Sequence, residues 1–162
     1  MGKKDLKKLK LSSGRSDVKS EPAKEISNIM IIQSWEMPDE LKEISAISYL
    51  DEQRFICVQD EIGKIFVYNT GTQKIERQVP FAESGDYEGL ALNGETVYVL
   101  RADGQIIEVK DFKGKNPIVR FHKTFLTTKQ DTEGLAFDKE NNRLLISVKG
   151  KDQNKDYKSI YA

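Results

Sequence analysis

One phrase occurs three times in this 162-residue chain, and it constrains the fold more than any other feature. Asp86-Tyr87-Glu88-Gly89-Leu90-Ala91-Leu92 returns 45 residues later as Asp131-Thr132-Glu133-Gly134-Leu135-Ala136-Phe137, and a looser version, Glu43-Ile44-Ser45-Ala46-Ile47-Ser48-Tyr49, lies 43 residues earlier. After each copy a polar turn leads into an apolar run: Phe55-Ile56-Cys57-Val58, Val97-Tyr98-Val99-Leu100 and Leu144-Leu145-Ile146. In the first two units a third run follows, opened by Gly63 or Gly104, and a fourth is expected at Lys74 to Val79 and Ile118 to Lys123. The turns between runs carry hairpin signals, Asn93-Gly94 the strongest and Asp103-Gly104 next. The one helical candidate, Asp39 to Glu43, is a turn or two long.

Four short strands at a period of about 40–45 residues describe the blade of a β-propeller. The second run of each unit is apolar at consecutive positions, as expected where neighbouring sheets cover both faces. Charge in the third and fourth runs predicts that these lie toward an exposed rim. The chain is therefore expected to be all-β, a partial propeller with about three four-stranded blades. The boundaries are a strand over 27–35 and blades at about 43–80, 86–124 and 131–162. A two-sheet sandwich is the alternative all-β fold, but gives no reason for the phrase to repeat. Propellers close with about four to eight blades. Either this is part of a longer protein, which is the expectation, or several copies close a ring together. The strand at 27–35 would be the outer strand of a closing blade.

Net charge is zero, with 26 basic and 26 acidic residues, yet it is unevenly placed. Residues 1–24 hold eight Lys/Arg against three acidic residues, and the remainder is acidic by the same margin. Residues 1–26 are expected to be a disordered basic arm. Attraction to an anionic membrane or nucleic acid is the weaker alternative. The arm lacks the apolar stretch of a secretory signal, and Leu6 stands where a myristoylation site needs Ser or Thr. No apolar run approaches the ~18 residues of a membrane span. A single cysteine and a single histidine exclude an internal disulfide and a multi-histidine metal site within one chain. No phosphate loop, zinc spacing or nucleic-acid motif is present.

The chemistry-bearing residues are the repeated acids. Asp86 and Glu88 precede their strand core at the spacing of Asp131 and Glu133, so a repeating fold brings the two pairs near one another. Glu43 is their counterpart in the first unit, where Ser45 replaces the second carboxylate. Such a group offers hard oxygen ligands of the kind calcium takes, about six to eight at a time. The candidate metal ligands are accordingly Asp86, Glu88, Asp131 and Glu133. Candidate ligand-binding residues are Glu43, Asp60, Glu88, Arg101, Glu133 and Lys149, with Arg101 and Lys149 following the second strands to offset repulsion or hold an anionic group. The competing structural explanation is that an acid before glycine accepts backbone hydrogen bonds from its turn and binds nothing. No residue is assigned a catalytic role. Cys57 reads as buried packing, His122 as a surface histidine, Trp35 as seam packing, and Tyr49, Tyr87 and Phe137 as core.

Glu43-Ile44-Ser45-Ala46-Ile47, Val58-Gln59-Asp60-Glu61-Ile62-Gly63, Gly85-Asp86-Tyr87-Glu88-Gly89-Leu90-Ala91 and Asp131-Thr132-Glu133-Gly134-Leu135-Ala136 in order resemble the SdiA-regulated (YjiK-like) family of bacterial β-propellers. The resemblance runs from about Trp35 to Lys149. It implies a six-bladed-type propeller of the bacterial cell envelope, periplasmic or membrane-anchored, with calcium binding expected for some members. This chain departs from the family in lacking an export or lipoprotein start and in having about half the expected length. Membrane association would need an anchor outside this sequence. The functional expectation is a non-enzymatic propeller that binds calcium or a small ligand, with a protein partner as a further option. The alternative is a metal-dependent hydrolase of the phytase or lactonase type, acting on phosphate esters or lactones.

Overall fold

A computed structural model describes residues 29–152 and 158–162. By contacts the chain divides into Met1–Gln33 and Ser34–Ala162, and among the described residues every strand belongs to the second unit. The basic arm lies outside the described residues.

The second unit is three antiparallel sheets in succession. The first has the order β1 (Ile44–Asp51), β2 (Arg54–Gln59), β3 (Lys64–Asn69), β4 (Lys74–Pro80). The second runs β5 (Tyr87–Asn93), β6 (Thr96–Arg101), β7 (Ile106–Lys110), β8 (Ile118–His122). The third has β9 (Thr132–Asp138), β10 (Arg143–Val148) and a two-residue β11 (Ile160–Tyr161). A 3₁₀ turn at Asp39–Leu41 precedes β1 where a short helical turn was expected.

The consecutive apolar residues of the middle strands are explained by their two faces. Ile56, Val58, Ile65 and Val67 pack with Leu90, Val97, Val99 and Ile107, so the first sheet lies against the second. The alternate residues Cys57, Phe66 and Tyr68 point the other way and pack under Leu41. In the second sheet Leu100 and Ile106 likewise turn away to meet Ile146 and Val148 of the third. With a side-chain period of two, a strand serving two cores must be apolar at every position.

The first strand of each sheet carries the same irregularity. Ile44 pairs with Gln59 but Ala46 with Val58, Tyr87 with Arg101 but Gly89 with Leu100, and Thr132 with Val148 but Gly134 with Ser147. The extra residue of each β-bulge is thus Ser45, Glu88 or Glu133, the position the repeated phrase marks. A bulge re-aims its side chain and twists the strand.

Several expectations are corrected. Residues 29–38 form no strand; no ladder includes them, and a strand exists only by pairing. Ile29, Met30, Ile31 and Ile32 are 79–91% exposed, and residues 27–28 lie outside the described residues. The third strands of the first two sheets are not rim: β3 and β7 are nearly all buried, and within those units it is β4 and β8 that are largely exposed on one side. Asn93 pairs with Thr96, which makes Gly94-Glu95 the two-residue loop, and Gly94 takes φ +60 at its first position, the place a type II′ hairpin gives to glycine. Tyr49 is 71% exposed rather than core, while Tyr87 is buried and Phe137 stacks on Tyr98 at 6.4 Å. Cys57 is fully buried, which pushes its thiol up to about 12. His122 is exposed, with Nε2 3.3 Å from Glu108. Trp35 is half-buried, its Nε1 enclosed without a partner.

Candidate functional site

The bulges lie where one sheet is tied to the next. Within each sheet the residue after the second strand donates its amide to the carbonyl of the first acid: Asp60 to Glu43 (3.2 Å), Ala102 to Asp86 (2.8 Å) and Lys149 to Asp131 (2.8 Å). Between sheets, the amide of Tyr87 donates to the Asp60 carbonyl (2.8 Å) and that of Thr132 to the Ala102 carbonyl (3.0 Å). A hydroxyl reinforces each junction, Ser45 Oγ on the Tyr87 carbonyl (2.5 Å) and Thr132 Oγ1 on the Arg101 carbonyl (2.9 Å). The same bonds recurring at equivalent residues place the bulge side chains of successive sheets side by side.

Asp60 is fixed further by Gln59, whose buried side-chain oxygen accepts from the Glu61 and Ile62 amides, each at 2.5 Å. With its backbone held on both sides, Asp60 keeps one carboxylate oxygen, Oδ1, buried and without a hydrogen-bond partner. A buried carboxylate oxygen without a donor is costly.

Glu88 records what surrounds it. Its carboxyl is pushed up from an ordinary 4.5 to about 7, first by burial, then by a hydrogen bond and charge repulsion from Asp86, and then by the charges of Glu133 and Asp60. Repulsion of this kind keeps a proton on one carboxylate of a crowded set. Four of the residues singled out in the sequence are therefore gathered at one place: Asp60, Asp86, Glu88 and Glu133. Lys149 joins them through an ion pair with Glu133 that holds its ammonium above the usual range.

Three candidates lie otherwise. Glu43 is exposed, and its carbonyl is what engages Asp60. Asp131 has φ +51, which aims its carbonyl at the Lys149 amide; its charge acts on Lys149 and is not among those raising Glu88. Arg101 is not the counterpart of Lys149. The register makes it equivalent to Gln59 and Val148, one residue earlier, and one residue in a strand reverses the side chain's face. Its guanidinium is held by Asp103 at 2.9 and 2.6 Å, beside Tyr87, and offsets none of the charge around Glu88.

The donor set is all oxygen, and together with the orphaned Asp60 Oδ1 it suits a hard cation. Among the described residues no three His, Cys, Asp or Glu side chains converge closely enough to hold a metal ion. The set is accordingly a group of neighbouring carboxylates, one of them occupied by Lys149, and not a closed ligand cage.

Gln59 and Thr132 were not singled out in the sequence. A polar residue closing an otherwise apolar strand (Gln59), and a hydroxyl at the position equivalent to Ile44, which opens β1 (Thr132), were the available signals. No family model matches this chain, and no curated protein matches it.

Proposed function

We propose that this chain forms part of a propeller-type, non-enzymatic binding protein of the bacterial cell envelope, similar to the SdiA-regulated proteins, and that its bulge carboxylates take a cation, calcium being the first to test. The observation that carries this is the surroundings of Glu88: burial first, and then the neighbouring carboxylates of Asp86, Glu133 and Asp60, lift it to about 7, while Asp60 Oδ1 is left buried without a partner. A cation among these carboxylates relieves their repulsion and gives Asp60 Oδ1 a partner. Successive sheets with the same bulge and the same junction bonds support the propeller architecture. Asp60, Asp86, Glu88 and Glu133 would hold the ion, and Asp131 would contribute once Lys149 moved aside.

Calorimetric titration with calcium at pH 8 and pH 6 tests the proposal. Binding is expected at pH 8 and weaker at pH 6, where Glu88 retains its proton. Glu88→Gln or Asp86→Asn is expected to lower affinity at least about tenfold, the equivalent of one lost charge-assisted contact of ~1.4 kcal/mol. Lys149→Ala is expected to strengthen binding by freeing Glu133. Heats at pH 8 no different from dilution into buffer would return the acids to a structural role.

One observation favours the hydrolytic alternative. A carboxyl near 7 beside a second carboxylate is suited to proton transfer at neutral pH. Turnover of phosphate esters or lactones that disappears in Glu88→Gln would establish it.

A further inference from the structure

The face that the first sheet turns toward the second is apolar along most of its length and ends in two arginines. With a side-chain period of two, Arg54 at the start of β2 shares that face with Ile56 and Val58. In β4 the register slips between Val67 with Arg77 and Tyr68 with Ile75, so Glu76 is the extra residue of a β-bulge. Ile75 packs with Tyr68 on the far face, while Arg77, directly opposite Val67, is turned to the near one. The second sheet brings its β7–β8 loop to this point. Phe112 is fully buried in the shared core, and the Gly114 carbonyl accepts a hydrogen bond from Arg77 Nη2. A cavity of about 270 Å³ remains between the two sheets, with Leu50, Val67 and Phe112 as its apolar lining and Arg54, Glu76, Arg77 and Lys113 as its polar lining. It is formed by the two four-stranded sheets alone, at the far end of β1 from the Ser45 bulge.

The charges around this cavity do not cancel. Arg54 is answered by Asp51 at 2.9 and 2.5 Å and by Glu76 at 3.8 Å, and Glu76 also accepts from Asn69 Nδ2 at 2.7 Å. Asp111, the acid of the β7–β8 loop, lies against Gly114 and is not part of the lining. Arg77 donates only to the Gly114 carbonyl, and its Nε is buried with no hydrogen-bond partner. Lys113 is exposed, its Nζ 5.6 Å from the centroid of the Phe112 ring. Among the described residues no carboxylate pairs with Arg77 or Lys113. A buried donor on a charged group is costly without an acceptor.

We propose that this cavity binds a small phosphomonoester, with its phosphate between Arg77 and Lys113 and its apolar group on Leu50, Val67 and Phe112. Two cations without carboxylates match the roughly two negative charges of a phosphate monoester above neutrality. The planar guanidinium suits a phosphate oxygen pair, and the lysine adds a point charge on a flexible stem. The volume falls just below the ~300–1,000 Å³ of ordinary ligand pockets, so the ligand is a small one. This site shares no residue with the bulge carboxylates and needs no cation.

Calorimetric titration of the full chain with phenyl phosphate, in calcium-free buffer at pH 8, tests the proposal. One site with a dissociation constant of about 1 mM or tighter is expected. Inorganic phosphate should bind at least about threefold more weakly for want of an apolar group. Benzoate should bind at least about tenfold more weakly for want of the second charge. Lys113→Glu is the decisive variant. Its side chain is exposed and makes no ion pair, so far-ultraviolet circular dichroism should be unchanged while affinity falls at least about tenfold. Arg77→Ala is expected to remove binding over the range titrated, and Arg77→Lys to recover part of it by restoring the charge without the fork. Heats no different from dilution overturn the proposal and leave Arg77 as a tie between β4 and the β7–β8 loop. Binding that Lys113→Glu leaves unchanged overturns it too, because the phosphate would then sit on other basic residues, such as those of residues 1–24. Equal affinity for phenyl phosphate and inorganic phosphate overturns the assignment to an ester.

Discussion

Replacing Glu88 by Gln should make the protein more stable at pH 8 and flatten its stability between about pH 4.5 and 7. In the folded protein the Glu88 carboxyl is raised from 4.5 to about 7, so within that interval the folded state binds more proton than the unfolded one. Stability then falls as pH rises, being fully present below 4.5 and lost through 7. At about 1.36 kcal/mol per pH unit the difference is roughly 3 kcal/mol before solvent is considered. Glu88 is only partly buried and Asp86 is exposed, so screening reduces the expected effect to about 1 kcal/mol. Gln resembles the protonated acid and should match the parent near pH 4.5. Asp51, Asp103 and Asp138 do not obscure the window. Their carboxyls are held low by Arg54, by Arg101, and by Asn141 with Arg143, and they contribute only as pH falls below the ordinary carboxylate range. Urea unfolding at pH 4.5, 6 and 8 gives both curves. Equal slopes for parent and variant, or a variant less stable at pH 8, would refute the crowding of charge around Glu88.

Two further outcomes follow from packing. A methyl on Gly89 would lie 2.8 Å from Leu135 Cβ, 3.0 Å from Leu100 Cβ and 3.1 Å from the Leu135 amide, so Gly89→Ala should push the third sheet away and cost about 1–3 kcal/mol in denaturant unfolding. At Gly134 the short contact is with the Ser147 hydroxyl, which can rotate, and its Cβ is 3.5 Å away; Gly134→Ala should cost clearly less. Cys57, wholly buried and raised to about 12, should resist alkylation at pH 8 until the protein unfolds, and modification at a rate independent of denaturant would contradict its burial.

The nearness of Glu88 and Glu133 was legible in the sequence because a repeat needs no knowledge of angles. Equal spacing to equivalent strands puts equivalent side chains side by side. Asp60, whose equivalents are Ala102 and Lys149, has no counterpart in the repeated phrase, and Asp131, at the same spacing as Asp86, is not among the charges that act on Glu88. Arg101 shows where that logic fails. Its place after an apolar run suggested the role Lys149 has, but a bulge and a one-residue offset decide which face a side chain takes, and neither is visible in a string of letters. Tyr49 misled for a related reason. It aligns with Leu92, a packed position, yet an aligned residue is buried only if a neighbouring sheet covers it, and the first sheet has that neighbour on one side only.

By itself the sequence determined that the described part of the chain is all-β, where its second strands lie, and that those of the first two units serve two cores. These follow from local alternation, turn chemistry and a repeat, all of which act between residues close in the chain. Tertiary structure alone decided that the bulge residues are Ser45, Glu88 and Glu133, that the Asp60 carboxylate is left with a buried, partnerless oxygen, and that Glu88 holds its proton toward neutrality. The pairings that set the bulges join neighbouring strands, and Glu88 adds to its near neighbour Asp86 the charges of Asp60 and Glu133, far from it in sequence. Desolvation and charge repulsion exist only once separate sheets bring such groups within a few ångströms of one another.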